Sequence, residues 1–402
     1  MNLFSILASL TVINESGITN VEISGIDSLV KTIIEFFSFG GFIGVGILLF
    51  SLILKIIPLP LDIYSRVAQK KNALKMEKMR PELEKLQRQY ANNKELYTQK
   101  MQALYKKEGY SMVASCLPTL FTLIFFIVVI SSFNRYSSYS NLEIYNKMAY
   151  SFNDTIVQEL NENYEGYYTF NYSDEEKTIL TEIIPVEGKT LTDDEVNSII
   201  VKAQDAAAIT YKEEIKQYKF LWVENIWIGD LPWKKAFIDT KSISSLFGYS
   251  SGCKTETLEH VLNDEAIFDV LTGSSLLDDE KEHVNGYLIL VVLSIGTMLL
   301  SQLLMSKTQK SQMELQSVDG MNGQATQTSK MMMWMMPIMF GFFAFMYSSA
   351  FSLYLIVSTV FSMLSTFIIN KIMERRFAKL VEAEEEEKYK KRYGHLKKNK
   401  KY

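Results

Sequence analysis

Residues 331–376 read MMMWMMPIMFGFFAFMYSSAFSLYLIVSTVFSMLSTFIINKIMERR, and no charged residue occurs within 331–370. A helix that crosses a membrane needs about 20 apolar residues, each adding about 1.5 Å to its length. As one helix, this apolar run would be roughly twice as long as the hydrocarbon core is thick. The small polar group that begins at Ser348 is the natural place for a turn. The stretch therefore predicts two spans, at 331–349 and 350–372.

Three further apolar runs in the 402-residue chain are long enough to span a bilayer. Together with the final pair they predict an all-α polytopic membrane protein with five transmembrane helices. The further spans lie at 40–61, 114–133 and 286–306. The segments that separate and flank the spans are 1–39, 62–113, 134–285, 307–330 and 373–402.

Charge is distributed unevenly among these segments, although the whole chain carries only −4. Segment 62–113 has 12 basic and 6 acidic residues, net +6, and 371–402 has the same counts. Segment 134–285 has 13 basic and 28 acidic residues, net −15. Because short cytoplasmic segments are enriched in Lys and Arg, five spans place both basic segments inside and the acidic segment outside. The N-terminus is then outside and the C-terminus cytoplasmic.

Several helices are predicted between the spans. Residues 26–38 form an amphipathic helix that lies at the outer interface or, alternatively, packs on the outer domain. Segment 62–113 is predicted to be a cytoplasmic hairpin of two antiparallel helices broken near Asn93. In 134–285, a mostly helical extracytoplasmic insertion, Thr192 is the expected N-cap of a helix over 193–218.

Two regions carry a resemblance to a known family. The run PLPLDIYSRVAQKKNALKMEKMRPELEKLQRQY, followed by LYKKEGYSMVASCLP, and the final apolar hairpin resemble YidC/Oxa-type membrane protein insertases. The resemblance covers roughly 26–133 and 222–376. It implies five core helices around a hydrophilic groove, open to cytoplasm and lipid, that admits polar stretches of nascent membrane proteins. It also implies a non-enzymatic protein of the bacterial plasma membrane, with the Sec translocon as a further candidate partner.

Four polar residues within the predicted spans are candidates for the groove. The family has an arginine five residues before a Pro-Leu pair, and Lys55 holds that position before Pro60-Leu61. A lysine inside a span should face protein or water, although snorkelling to the nearby cytoplasmic surface is the alternative. The other candidates, for which interhelical hydrogen bonding is the alternative, are Gln302, Tyr354 and Thr359.

The methionines at the start of the fourth span suggest a second functional surface. Methionine is unbranched and polarizable, so it suits a surface that must accept varied apolar partners. We therefore predict a slide for client helices, with ordinary packing as the alternative. The residues of this slide are Met331, Met332, Met333, Met335 and Met336.

The C-terminal tail has interleaved tyrosines and a dense basic cluster. Such a segment can bind ribosomal RNA through phosphate contacts and stacking, or bind anionic lipid headgroups instead. Family members use basic tails at the ribosome, so ribosome contact is predicted. The residues expected to make it are Lys390, Lys391, Arg392, Lys397, Lys398, Lys400 and Lys401.

Two other functional classes compete with an insertase. A small-solute transporter or channel would be expected to show paired intramembrane charges, or discontinuous helices and repeats, whereas the sequence has one clear intramembrane charge and no repeat. A membrane-anchored outer binding domain would not require five spans. The sequence shows no nucleotide motif, no metal-ligand spacing and no nucleophile-base pair. No cofactor, metal or DNA partner is therefore expected.

Overall fold

The computed structural model describes residues 23, 25–110, 112–172, 180–189, 191–249, 265–316, 335 and 338–398. The described chain is mostly helical, as predicted. It divides into two compact units, each built from three separate parts of the chain. The first unit contains Met1–Ser51, Phe125–Gly296 and Ile338–Leu355. The second unit contains Leu52–Ile124, Thr297–Pro337 and Ile356–Tyr402.

Eleven named helices and two strands account for most of the described residues. The helices before the strands are α1 Ile26–Phe36, α2 Ile43–Ile56, α3 Leu59–Gln89, α4 Lys94–Glu108 and α5 Met112–Asn163. The strands are β1 Tyr168–Tyr172 and β2 Leu180–Pro185, which pair antiparallel. The later helices are α6 Asp193–Glu214, α7 Thr240–Tyr249, α8 Glu265–Leu271, α9 Asp278–Glu282, α10 Ile289–Gln316 and α11 Ser349–Lys398. Residues 338–346 are also helical.

Several helices extend beyond the predicted spans. Helix α5 continues for 30 residues past position 133, where the second span was expected to end, and α10 and α11 run past 306 and 372. When a helix leaves the hydrocarbon core, different side chains become favourable, but its backbone hydrogen bonds can continue unbroken. In α5, buried apolar residues recur at helical spacing beyond the span and hold the continuation in place. They include Tyr145, Met148, Phe152, Ile156 and Leu160.

The first predicted span is interrupted near its end. Helix α2 ends at Ile56, and α3 begins at Leu59 with Pro58 as its N-cap and a proline in its first turn. Proline lacks an N–H, so it is favoured at the start of a helix, where that group would have no partner, and disfavoured in the interior. The chain therefore bends by 40° between Ile43–Ile56 and Leu59–Ala68.

One described helical segment, Ser349–Met373, is long and apolar enough to cross a membrane by itself. The bent pair of α2 and the start of α3 meets the same criteria when taken together, and Ile289–Leu304 is a shorter apolar helix. The five-span count and the bounds of the segments stay predictions. The turn expected within the final apolar run is confirmed, because the helix that ends at Met346 is separate from α11.

The hairpin in the second unit is confirmed as two helices, α3 and α4. Asn93 is the N-cap of α4, and its side chain accepts a hydrogen bond from the Leu96 N–H at 3.0 Å. Gly109 ends α4 in the left-handed conformation that favours glycine. An apolar cluster joins the two helices, and its buried members are Met76, Met79, Leu83, Leu104 and Tyr105.

Helix α1 packs against α5 in the first unit. The Arg135 guanidinium lies 2.8 Å from the Asp27 carboxylate, and the Lys31 ammonium donates to the Tyr139 hydroxyl at 2.5 Å. The predicted helix is thus confirmed, and it packs on α5 within segment 134–285, whose outer location stays a prediction. Its opposite side remains apolar and exposed, and a position at the membrane interface stays a prediction. The exposed residues are Ile26, Leu29 and Phe36.

A buried polar network organises the segment 225–230 of the first unit. The Asn285 amide donates to the carbonyls of Asn225, Ile228 and Gly229 at 3.0 Å, and its oxygen accepts from the Asn225 N–H at 2.7 Å. The Asn225 amide donates in turn to the Asn141 side chain at 2.9 Å. These bonds satisfy backbone groups of an irregular segment that would otherwise be costly to bury.

The same segment is tied to the starts of α10 and α11. The Asp230 carboxylate, which is fully buried, accepts from the Tyr287 N–H at 2.7 Å and the Leu290 N–H at 2.6 Å. The Ile228 carbonyl accepts from the Ser349 N–H at 2.9 Å and its hydroxyl at 2.6 Å. Backbone N–H groups at the start of a helix have no partner within that helix, and these hydrogen bonds pair such groups at the starts of α10 and α11.

Candidate functional site

Charged residues gather around the bend between α2 and α3 in the second unit. Lys55 lies in the last turn of α2 and is half-buried, and Asp62 lies in the first turn of α3. The Asp62 carboxylate attracts both the Lys55 ammonium and the Arg66 guanidinium. The bend therefore brings Lys55 near Asp62, while Arg66 follows Asp62 by four residues on the same helix, and the two cations leave a positive excess around one carboxylate.

Arg66 also connects α3 with α11. Its Nη2 donates to the Thr366 hydroxyl at 2.8 Å, and Thr366 donates onward to the Ser362 carbonyl at 2.6 Å. Thr366 is buried, and the Arg66 side chain is half-buried. Arg66 was not among the groove residues predicted from sequence, because it belongs to the charges of the predicted cytoplasmic hairpin. Its position one helical turn after Asp62 was the available signal.

Two further groove candidates lie in the second unit. Gln302 of α10 and Thr359 of α11 are both half-buried. Each follows a buried serine, Ser301 and Ser358 respectively. Polar side chains are therefore present on α10 and α11 as well as near the bend. That they share one groove with Lys55 stays a prediction.

Tyr354 belongs to the first unit and has a packing role there. It is only 3% exposed, and its ring centroid lies 5.8 Å from that of Phe133 and 6.0 Å from that of Phe351. Aromatic rings at these separations contribute to packing. The ring thus fills a core, and a role for its hydroxyl in a groove stays a prediction.

The methionine surface and the basic tail are described only in part. Met335 is helical and 58% exposed, as a sliding surface would require, whereas the other four methionines lie outside the described residues. The backbone of α11 is helical through Lys398, but side-chain positions beyond Arg375 are not described. Both of these contact surfaces stay predictions. The tail residues wholly outside the described chain are Lys400 and Lys401.

The described residues contain no group of three or more His, Cys, Asp or Glu side chains suited to a metal ion. The family profile described as "60Kd inner membrane protein" matches residues 35–186 and 206–376 of this chain. The chain belongs to this family. The resemblance to YidC/Oxa insertases is therefore confirmed. As a member of the 60Kd inner membrane protein family, the chain is a multi-pass protein of the cell membrane.

Curated relatives in the 60Kd inner membrane protein family are similar over shorter regions. Membrane protein insertase YidC 1 of Streptococcus pyogenes serotype M3 is 39% identical over 121 residues, covering 28% of this chain and 42% of the relative. Membrane protein insertase YidC of Treponema denticola is 36% identical over 93 residues, covering 23% of this chain and 15% of the relative. That of Enterococcus faecalis is 32% identical over 106 residues, covering 25% and 37%. The matched regions thus span about two-fifths or less of these relatives, and no solved structure matches the chain.

Proposed function

We propose that this protein is a membrane protein insertase that assists the insertion and folding of nascent membrane proteins. The observation that carries the proposal is the family match over 35–186 and 206–376, because it includes both the bent first span and the final apolar hairpin. The charged cluster at the bend supports it. The protein acts without a cofactor and makes or breaks no covalent bond in its client.

The mechanism follows from the cost of moving polar groups through hydrocarbon. A short polar client segment would lose its hydration in the bilayer core, at several kcal/mol for each unsatisfied group. Lys55, Arg66 and half-buried Gln302 and Thr359 supply polar partners on apolar helices and so lower that cost. The client's apolar spans then partition into lipid. The membrane potential adds about 2.3 kcal/mol per charge per 100 mV.

The proposed topology has five spans in a bacterial plasma membrane. The N-terminus and 134–285 lie outside, and the hairpin and tail lie in the cytoplasm. The alternating net charges of +6, −15 and +6 support this orientation. Partners are nascent membrane proteins, the ribosome through the tail, the surrounding lipid and the Sec translocon.

Lys55 provides the test of the groove. In cells depleted of the native protein, Lys55→Arg should retain insertion, whereas Lys55→Ala and Lys55→Glu should slow it about tenfold for clients with an acidic translocated segment. Tenfold in rate corresponds to about 1.4 kcal/mol in the barrier. Protease protection of the client's translocated segment measures the rate.

The matched control is Lys100→Glu, which changes an exposed lysine of α4 by the same two charge units. It should insert all clients normally. Normal insertion of acidic clients by Lys55→Glu would show that the lysine only snorkels. If depletion leaves every membrane protein in place while solute flux changes, the transporter alternative replaces the insertase.

A further inference from the structure

A cavity of about 950 Å³ opens in the first unit, lined mainly by the segment predicted to lie outside the membrane. Its wall combines the start of the extended part of α5, the irregular segment around Trp233, helices α7 and α8, and the turn before α11. Its lining mixes aromatic rings with amides, hydroxyls and amines. The cavity is thus large enough for a polar group of ligand size.

The charge of the cavity wall differs from that of the segment around it. Segment 134–285 has 13 basic and 28 acidic residues. Four lysines but only three acidic residues line the cavity. The wall is therefore net positive in a segment of net −15, which favours an anionic occupant. The lysines are Lys234, Lys235, Lys241 and Lys281, and the acids are Asp239, Glu265 and Asp269.

One donor in this wall, the ammonium of Lys234, lacks a partner in the described part of the chain. Lys235 and Lys281 donate to the carbonyls of Glu282 and Thr272 at 2.6 and 2.7 Å, but no hydrogen bond or ion pair engages the Lys234 ammonium. Burial lowers the pKa of Lys234, as expected for an amine that has lost water without gaining a carboxylate.

A phosphate oxygen can accept a charge-assisted hydrogen bond from an ammonium. A bound anion would therefore pair the Lys234 ammonium and compensate its desolvated charge.

The position of the cavity indicates where that anion comes from. Its wall includes Asn134, directly after the second predicted span, and Met346–Ser348, the turn between the last two spans. In the proposed topology both lie at the outer membrane surface. Trp233, also in the wall, is 65% exposed, and tryptophan side chains are enriched at the level of lipid headgroups.

We infer that this cavity binds the phosphate of an anionic phospholipid headgroup from the outer leaflet, with the Lys234 ammonium as donor. Trp233 then lies beside the glycerol region of the same lipid. The site rests on the proposed topology but not on the insertion mechanism. Its function is to hold the outer segment against the membrane surface.

Lipid retention tests this site. The full-length protein is reconstituted in phosphatidylcholine nanodiscs containing a minor fraction of phosphatidylglycerol, and retained lipid is counted by native mass spectrometry after extraction. Wild type and Lys234→Arg should retain phosphatidylglycerol in preference to phosphatidylcholine. Lys234→Gln should retain about fivefold less, the effect of about one basic residue at an anionic surface.

The matched control is Lys216→Gln, at an exposed lysine of the same acidic segment that does not line the cavity. It should retain lipid as wild type does. In phosphatidylcholine alone, Lys234→Gln should unfold at the same temperature as wild type or at a higher one. This measurement separates lost lipid binding from misfolding. Client insertion by Lys234→Gln is measured in parallel, so a failed lipid site is distinguishable from a failed insertase.

Three results would overturn the inference. Equal retention by wild type and Lys234→Gln would show that the lysine does not bind the headgroup. Displacement of the lipid by millimolar inorganic phosphate would identify a soluble anion as the ligand. Displacement by an acidic peptide would identify a protein segment as the occupant.

Discussion

At the scale of single residues, Asp230 joins the irregular segment 225–230 to the start of α10. It comes from a loop far from α10 in the chain, yet its carboxylate pairs two N–H groups that α10 cannot pair itself. Gly286 permits this approach, because a Cβ at that position would lie 1.9 Å from the Asp230 carboxylate. Both residues are thus required by the same contact.

Replacing Asp230 should therefore destabilise the first unit. Asp230→Ala removes both hydrogen bonds and leaves the buried Leu290 N–H and the part-buried Tyr287 N–H unpaired, which should lower the free energy of unfolding by about 1–3 kcal/mol. Denaturant titration of the full-length protein in detergent, followed by tryptophan fluorescence, measures the change. Asp194→Ala, at an exposed position in the first turn of α6, should cost about 1 kcal/mol or less. Equal losses in the two variants would contradict this role for Asp230.

At the scale of elements, two helix starts use different chemistry for the same purpose. Helix α6 begins with the predicted Thr192 cap, and the structure adds a reciprocal bond in which the Glu195 carboxylate accepts from the Thr192 N–H at 2.8 Å. Helix α4 begins with a neutral amide, Asn93. Only the first of these caps includes a titratable group.

The cap of α6 should therefore depend on pH. Hydrogen bonds from the Thr192 N–H and hydroxyl lower the pKa of Glu195, so its contribution is present above the unfolded pKa of about 4.3. That contribution is lost as pH falls through the lower folded pKa. Amide hydrogen exchange, corrected for its intrinsic pH dependence, should show protection of Thr192 falling across this range.

The cap of α4 provides an internal control for this measurement. Protection of the Leu96 N–H, which donates to the neutral Asn93 side chain, should not follow the same titration. Glu195→Gln should remove the pH dependence at Thr192 because its amide does not titrate. Unchanged protection at Thr192 down to pH 2 would refute the reciprocal cap.

At the scale of the whole molecule, the alternation of net charge is the basis of the proposed topology. Single cysteines introduced into a cysteine-free background, with Cys116 and Cys253 replaced by serine, test it. Val201→Cys is the suitable outer probe because that side chain is 54% exposed, whereas the neighbouring Ile200 is buried. A membrane-impermeant thiol reagent should label Val201→Cys in intact cells and spare the exposed Asn92→Cys. The opposite labelling pattern would refute the five-span orientation.

The tail provides a second prediction at this scale. Seven basic residues follow Tyr389, so ribosome binding should be electrostatic and weaken steeply as salt increases. Truncation after Leu380 should reduce co-sedimentation with ribosomes and leave the membrane helices folded. Replacing Glu384–Glu387 by glutamine removes negative instead of positive charge from the tail, so it should strengthen ribosome binding. Unchanged co-sedimentation of the truncated protein at low salt, with weaker binding to anionic vesicles, would assign the tail to lipid instead.

The sequence by itself determined the features that depend on neighbouring residues. Helical periodicity, the break near Asn93, the Thr192 cap, the turn at Ser348 and the family motifs are all local, and local patterns are readable without a fold. What only the tertiary structure decided involves residues far apart in the chain. Arg66 meets Thr366 across 300 positions, and the packing of Tyr354 on Phe133 likewise depends on a distant helix. The cavity around Lys234 also has walls from four separate parts of the chain, because close packing brings together residues whose spacing in sequence carries no common pattern.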